Sequence, residues 1–221
     1  MAGCVNNRPI TYLYASQSGE ATLDKGEGGG NPFATAFIEV LSYEGLSFNE
    51  FKMRMVAVTL KKSKNFQKPE IISNYFINRQ FLSSTNMKKR VALIFVYSNY
   101  SSVWINSLEG AKNDLDRVSK KLLEVGFEIK TIIDPNKQEL NRVLKEFAKE
   151  SVNADVAIIY TTGHGFEIDG ETYLLPNNYL YPLRKKELRQ YSIPIKEIGK
   201  NMLSSKLNLL FYGGCRTHIL R

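Results

Sequence analysis

One stretch of the chain, residues 154–165, limits the fold more than any other. Residues 156–160 are β-branched, aromatic or small apolar, which predicts a strand buried on both faces of a parallel sheet. The run leads into Gly163-His164-Gly165, where the two glycines let the backbone turn sharply and approach another group closely. Because open α/β sheets bind ligands at the carboxyl ends of their strands, we expect the imidazole of His164 to lie at a functional edge.

A second strand-like run, residues 206–212, ends in Gly213-Gly214-Cys215-Arg216. The histidine therefore precedes the cysteine by about 50 residues, each of them following a predicted strand. If the two strands are parallel neighbours, both tips emerge at the same edge of the sheet. An imidazole base beside a thiol is the pairing that generates a thiolate nucleophile. The alternative for Cys215 alone is a buried, inert thiol, because free cysteine is among the most buried residue types.

The rest of the chain alternates predicted strands with predicted helices. Helix starts are indicated by Asn31 before Pro32, and by Ser47 with Glu50 three residues later. Further elements are predicted as strands at 91–97 and 127–133, helices at 113–125, 137–150 and 195–203, and a hairpin that turns at Asp169-Gly170. In the helix at 113–125 we expect a buried face formed by Leu115, Val118, Leu122 and Leu123. The pattern predicts an α/β fold: a three-layer sandwich with a mostly parallel, roughly six-stranded sheet flanked by helices.

Composition narrows the classes of function. The net charge of +8 is spread along the chain and lies in no nucleic-acid module, so no nucleic-acid partner is predicted. Two cysteines and two histidines offer no spacing for a tetrahedral metal site, and neither a metal nor a cofactor is predicted. Two cysteines fit a reducing compartment better than a disulfide framework. With no apolar run near 18 residues and no secretory signal, we expect a soluble, cytoplasmic protein without membrane contact.

Several motifs occur together in one order along residues 90–216. A predicted strand is followed by Gly110-Ala111-Lys112-Asn113-Asp114, then by Tyr160-Thr161-Thr162-Gly163-His164-Gly165, Tyr173-Leu174-Leu175-Pro176 and the cysteine strand. In this combination and order, the chain resembles the caspase-like cysteine peptidases, the superfamily of caspases, metacaspases and bacterial caspase homologues. The resemblance implies a caspase-like sheet.

The front of the chain resembles the part of that family which normally follows the cysteine. Residues 11–16 resemble a late strand, residues 30–36 a helix entry, and residues 67–69 a late Gln-x-Pro motif. We therefore expect a circularly permuted single domain over residues 1–221. In it, residues 1–72 form a small-subunit-like half, 73–89 a connector and 90–221 a large-subunit-like half. The rival interpretation is a fragment of a protein with two tandem domains.

The resemblance also implies chemical roles. Cys215 would be the nucleophile of a cysteine endopeptidase that acts on proteins or peptides, and His164 would be its general base. The backbone N–H groups of Gly165 and Cys215 would form the oxyanion hole, and no third orienting residue is obvious from the sequence. An edge strand near residues 67–73 could pair two subunits into a homodimer. The alternatives are a catalytically inactive regulatory or scaffold module and, more remotely, a nucleotide-binding doubly wound domain.

Other candidate residues carry weaker signals. His218 has no flanking glycines and is expected at the surface, while Cys4 follows no strand and is expected in a loop. The glycines at 26–30 lack the spacing of a phosphate-binding motif and indicate a flexible loop at the substrate edge. Family members that cleave after Lys or Arg often carry Asp two residues before the cysteine. Here that position is Gly213, which leaves the P1 preference open.

Overall fold

The computed structural model describes residues 8–73, 87–101, 105–178 and 185–218. Most of the predicted connector and Cys4 lie outside these residues. The described strands are β1 (Thr11–Tyr14), β2 (Glu70–Ser73), β3 (Arg90–Val96), β4 (Glu128–Ile133), β5 (Val156–Thr162), β6 (Gly165–Ile168), β7 (Glu171–Leu174), β8 (Ile193–Pro194) and β9 (Leu207–Tyr212). The α-helices are α1 (Pro32–Val40), α2 (Phe48–Lys62), α3 (Glu109–Glu124), α4 (Lys137–Val152), α5 (Lys185–Tyr191) and α6 (Ile195–Gly199), and Glu27–Gly29 forms a single 3₁₀ turn.

A six-stranded sheet forms the middle of the molecule, in the order β2-β1-β9-β5-β3-β4. Every neighbouring pair is parallel except β1 and β2, which are antiparallel. The predicted α/β class and the mostly parallel, six-stranded sheet are therefore confirmed. A smaller three-stranded sheet, β6-β7-β8, follows from the loop after β5. Because β1 pairs in parallel with β9, the front of the described chain extends the same sheet as the cysteine strand.

Helices cover both faces of the large sheet, since alternate residues of its central strands point to opposite sides. On β9, Leu210 and Tyr212 belong to a core shared with α4, α6 and the small sheet. Leu209 and Phe211 belong to a second core shared with α1, α2 and α3. The helix–sheet–helix arrangement confirms the predicted three-layer sandwich.

Local sequence signals account for several element ends. The Asn31 side chain accepts from Phe33 N at the start of α1, and Ser47 and Glu50 form a reciprocal capping box at the start of α2, as predicted. The β6–β7 hairpin turns at Asp169 and Gly170, which both have positive φ, as expected for a two-residue hairpin.

Helix α3 differs from its prediction in two respects. It begins at Glu109, four residues earlier than expected, because no capping side chain marks Leu108 as its start. The expectation that Leu123 faces inward was wrong: this residue is 56% exposed. The buried stripe instead runs through Ala111, Asp114, Val118 and Leu122, at helical spacing. Leu123 lies about 100° further around the helix and so faces solvent.

Candidate active site

The loops that follow β5 and β9 meet at one edge of the sheet. The two strands are parallel neighbours, and their last register pair is Thr161 with Tyr212. His164 and Cys215 are each the third residue beyond that pair. A Cβ atom added to Gly165 would lie 3.0 Å from the carbonyl oxygen of Cys215, so the two loops are in direct contact. The structure thus brings the two predicted site segments together.

Backbone and tyrosine contacts fix the orientation of His164. Its Nε2 lies 2.8 Å from the carbonyl oxygen of Asn106, and its backbone N–H donates to the Tyr100 hydroxyl at 2.9 Å. The Tyr100 hydroxyl donates in turn to the carbonyl of Leu175. Because a carbonyl oxygen can only accept, Nε2 carries the proton and Nδ1 is the basic nitrogen. Sequence analysis missed Asn106, since a backbone carbonyl leaves no signal in a sequence.

Cys215 is a free, half-buried thiol that contacts Thr22. Its Sγ lies 3.3 Å from Thr22 N and 3.4 Å from Thr22 Oγ1. The segment before Thr22 runs beside the cysteine loop: Gly19 N donates to Arg216 O, and Arg216 N donates to Glu20 O. Within the described residues, the hydrogen bonds of the His164 ring and of the Cys215 thiol run to Asn106 and Thr22 rather than to each other.

Glycine is required at the close approach of the two loops. A Cβ on Gly165 would overlap the Tyr212 hydroxyl, and a Cβ on Gly213 would lie 2.8 Å from Thr162 Oγ1. The Gly213 position therefore has no room for a side chain unless Thr162 moves. The predicted oxyanion donors, the N–H groups of Gly165 and Cys215, belong to these touching loops.

Arg216, directly after the cysteine, is almost completely buried and paired with acids. Its guanidinium forms an ion pair with Glu167 at 2.8 Å and another with Glu70, and it lies 4.2 Å from the centre of the Tyr14 ring. Burial tends to raise the pKa of Glu167, but a hydrogen bond from Ser18 and the charge of Arg216 lower it below its usual range. Through these contacts, Arg216 connects the loop that carries Cys215 (the cysteine loop) to β1, β2 and β6.

A second buried acid lies on the other side of the sheet. Asp114, on α3, is fully buried and accepts hydrogen bonds from the Tyr160 hydroxyl and from Asn31 N, each at 3.0 Å. Burial raises its pKa to about 8, although the Tyr160 hydrogen bond and the charge of Arg117 act in the opposite direction. This carboxyl joins α3 to the central strand and to the start of α1.

His218 and the glycines at 26–30, which were weaker candidates in the sequence, contact other residues than His164 and Cys215. His218 is a half-exposed residue beside Ser18 and Glu167, in agreement with the expected surface position. The glycines at 26–30 pack against α3, where Asn113 Nδ2 donates to Gly29 O at 2.7 Å. In the part of the chain that the structure describes, no helix has the length and apolar character needed to cross a bilayer.

Known proteins match the segment that carries both loops. The family model described as the caspase domain matches residues 89–219, more than half of the chain. Caspase-1-A and Caspase-1-B of Xenopus laevis are 34% and 32% identical to the chain over 80 residues. The aligned part is 35% of this chain and 20% of each frog protein, so the chain spans about a fifth of the length of these relatives.

Proposed function

Because this chain belongs to the caspase domain family, we propose that it is a cysteine endopeptidase which hydrolyses peptide bonds through Cys215 and His164. The observation that carries the proposal is their equivalent position, three residues beyond the last register pair of two neighbouring parallel strands. That arrangement directs a thiol and an imidazole to the same edge of the sheet. An imidazole with its Nε2 proton fixed by Asn106 has Nδ1 available as a base.

In the proposed reaction, His164 Nδ1 takes the thiol proton and Cys215 Sγ attacks the carbonyl carbon of the scissile bond. The resulting oxyanion accepts hydrogen bonds from the N–H groups of Gly165 and Cys215, each worth about 3 kcal/mol in the transition state. His164 then protonates the leaving amine. Water, activated by the same imidazole, hydrolyses the acyl-enzyme and releases the thiol.

The chain supplies its own matched controls, since it has two cysteines and two histidines. We expect Cys215→Ala and His164→Ala to abolish cleavage of a random peptide library, while Cys4→Ala and His218→Ala retain it. Mass spectrometry of the library also reports the P1 preference. If the unaltered protein cleaves nothing and an acyl-amino-acid alkylating probe does not label Cys215, the inactive regulatory or scaffold module replaces this proposal.

We also propose that residues 1–72 supply the small-subunit-like half of a permuted domain and residues 90–221 the large-subunit-like half. The support is the parallel pairing of β1 with β9, together with the Arg216–Glu70 ion pair that joins the two halves. A rearranged chain with residues 87–221 placed before residues 1–73 through a flexible linker should keep the melting temperature and the cleavage activity. An unfolded product would favour the tandem-domain alternative.

Among the residues that the structure describes, strand β2 is an edge of the large sheet, and we propose that it pairs two copies of the chain into a homodimer. Ile72, on this edge, is 42% exposed, and the neighbouring helix α2 exposes Met53. An unpaired edge strand with exposed apolar residues is a template for pairing with another strand. We propose a cytoplasmic location, because two cysteines are too few for a disulfide framework and fit a reducing compartment better.

A further inference from the structure

Two buried amide side chains connect both segments that surround Cys215. Asn31, at the start of α1, and Gln67, in the loop before β2, are 3% and 0% exposed. Gln67 Nε2 donates to Asn31 Oδ1 at 3.2 Å. The two residues lie 36 positions apart in the chain, so their contact is a product of the fold. We refer to Asn31 and Gln67 as the amide pair.

The Asn31 end of the amide pair holds the loop that carries the cysteine. Asn31 Nδ2 donates to the carbonyl of Gly213 at 2.9 Å, two residues before Cys215. Its Oδ1 caps α1 by accepting from Phe33 N, and its backbone N–H donates to the buried Asp114. Because its backbone and side-chain polar groups are bonded on several sides, Asn31 has one position, and it fixes Gly213 relative to α1 and α3.

The Gln67 end holds the segment that contacts the sulfur. Gln67 Oε1 accepts from Leu23 N at 3.0 Å, and the preceding residue, Thr22, directs its N–H at Cys215 Sγ. Gln67 Nε2 also reaches the carbonyl of Ala15, just after β1. Gln67 itself is held, because its backbone N–H donates to Ser63 Oγ at the end of α2.

We propose that the amide pair is a positioning device that sets the cysteine loop and the Thr22 segment relative to each other. Neither amide touches the thiol, so Asn31 and Gln67 are positioning residues. The inference rests on the proposed function of Cys215 and extends it to two buried residues that are distant from Cys215 in the chain. A misplacement of about 1 Å at a reacting atom can cost a hundredfold in rate, so a device of this kind acts on turnover more than on substrate affinity.

Asn31→Ser tests the Asn31 end, since serine caps a helix as well as asparagine but is too short to reach Gly213. We expect kcat for peptide cleavage to fall about tenfold or more, with KM within about twofold. The matched control is Asn208→Ser, the same change at a buried asparagine near the other end of β9. This control should lower the melting temperature and leave kcat unchanged. A wild-type kcat for Asn31→Ser would overturn the proposal.

Gln67→Met tests the other end with a readout that does not depend on turnover. Methionine keeps the length of the side chain but releases Leu23, so Thr22 no longer covers the sulfur. At about pH 9.5, where cysteine thiols ionise freely, we expect iodoacetamide to modify Cys215 about threefold faster or more, relative to Cys4 in the same molecules. Asn208→Ser should leave the ratio of the two rates unchanged. An unchanged ratio for Gln67→Met would also overturn the proposal.

The two experiments separate this proposal from the proposed function. If the unaltered protein cleaves no peptide but Gln67→Met accelerates modification of Cys215 alone, the positioning role stands and the peptidase function fails. If cleavage is robust and both variants behave as wild type, the peptidase function stands and the positioning role fails.

Discussion

Replacing Arg216 by methionine tests how much the ion pairs of the cysteine loop contribute to the stability of the folded protein. Methionine is also long and can fill the space of the aliphatic part of arginine, but it lacks the positive charge that pairs with Glu167 and Glu70. Glu167 is 4% exposed, so it would be left as a buried carboxylate without its partner. Glu70 is more exposed and can be hydrated, so most of the cost arises at Glu167.

The expected cost follows from this burial. Removing one partner of a buried ion pair destabilises a protein by about 3–5 kcal/mol, a large part of a typical total of about 5–15 kcal/mol. For a chain of this size, each kcal/mol lowers the melting temperature by about 2–4 °C. We therefore expect Arg216→Met to lower it by about 10 °C in differential scanning calorimetry near neutral pH. Peptide cleavage should fall as well, because Arg216 is adjacent to Cys215.

Arg142→Met is the matched control, since Arg142 forms an exposed ion pair with Glu146 on one helix face. Such a pair contributes about 0.5 kcal/mol or less. Adding Glu167→Gln to Arg216→Met removes the unpaired charge and should recover part of the lost stability. If Arg216→Met melts within a degree or two of Arg142→Met, the reasoning about the buried carboxylate is refuted.

The same ion pair predicts a dependence on pH. Because the pKa of Glu167 is lower in the folded protein than in the unfolded chain, its contribution to stability is present at neutral pH. That contribution is lost as the pH falls through the folded-state value. The difference in melting temperature between wild type and Arg216→Met should therefore shrink on acidification, and a difference that is constant with pH would contradict this assignment.

Three further predictions concern other described residues. The pKa of Asp114 is raised to about 8, so the folded protein binds one more proton than the unfolded chain between about pH 4 and 8. The melting temperature of wild type should therefore fall relative to that of Asp114→Asn as the pH rises through this window. Parallel curves of melting temperature against pH would contradict this prediction. Tyr100→Phe removes the hydroxyl that accepts a hydrogen bond from the His164 backbone N–H. In steady-state assays, kcat should fall about tenfold, with KM within about twofold of the wild-type value. An unchanged kcat would show that other contacts hold His164. Ile72→Lys places a charge on the β2 edge, so sedimentation velocity should show a dimer for wild type and a monomer for the variant; identical profiles would rule out pairing through this edge.

The features predicted correctly from sequence depend on neighbours in the chain. The caps at Asn31 and Ser47 and the turn at Asp169-Gly170 each rest on residues within four positions of one another. Strand β5 was evident over residues 156–160, because burial on both faces requires a continuous apolar run. The shared edge of His164 and Cys215 is the exception, because these residues are far apart in the chain; it followed from the rule that open α/β sheets bind ligands at the carboxyl ends of their strands.

Features that depend on distant partners could not be predicted from the sequence. Arg216 pairs with acids that lie 49 and 146 positions away, and no local pattern distinguishes Glu167 or Glu70 from the other acids. The Asn106 carbonyl that orients His164 belongs to the backbone, which is the same for every residue type. Leu123 was misplaced because two adjacent leucines offer two choices for one buried stripe, and only packing decides between them.

The shared register of β5 and β9 makes the distance between thiol and imidazole a property of strand pairing. A slip of one residue would carry Cys215 about 3.4 Å along the sheet and would exchange the faces on which Leu210 and Phe211 are buried. Since both faces are covered by helices, such a slip would have to break two hydrophobic layers at once. The proposed reactive geometry therefore depends on the stability of the whole domain. Substitutions far from this edge of the sheet should disturb it only when they weaken the pairing of β5 with β9.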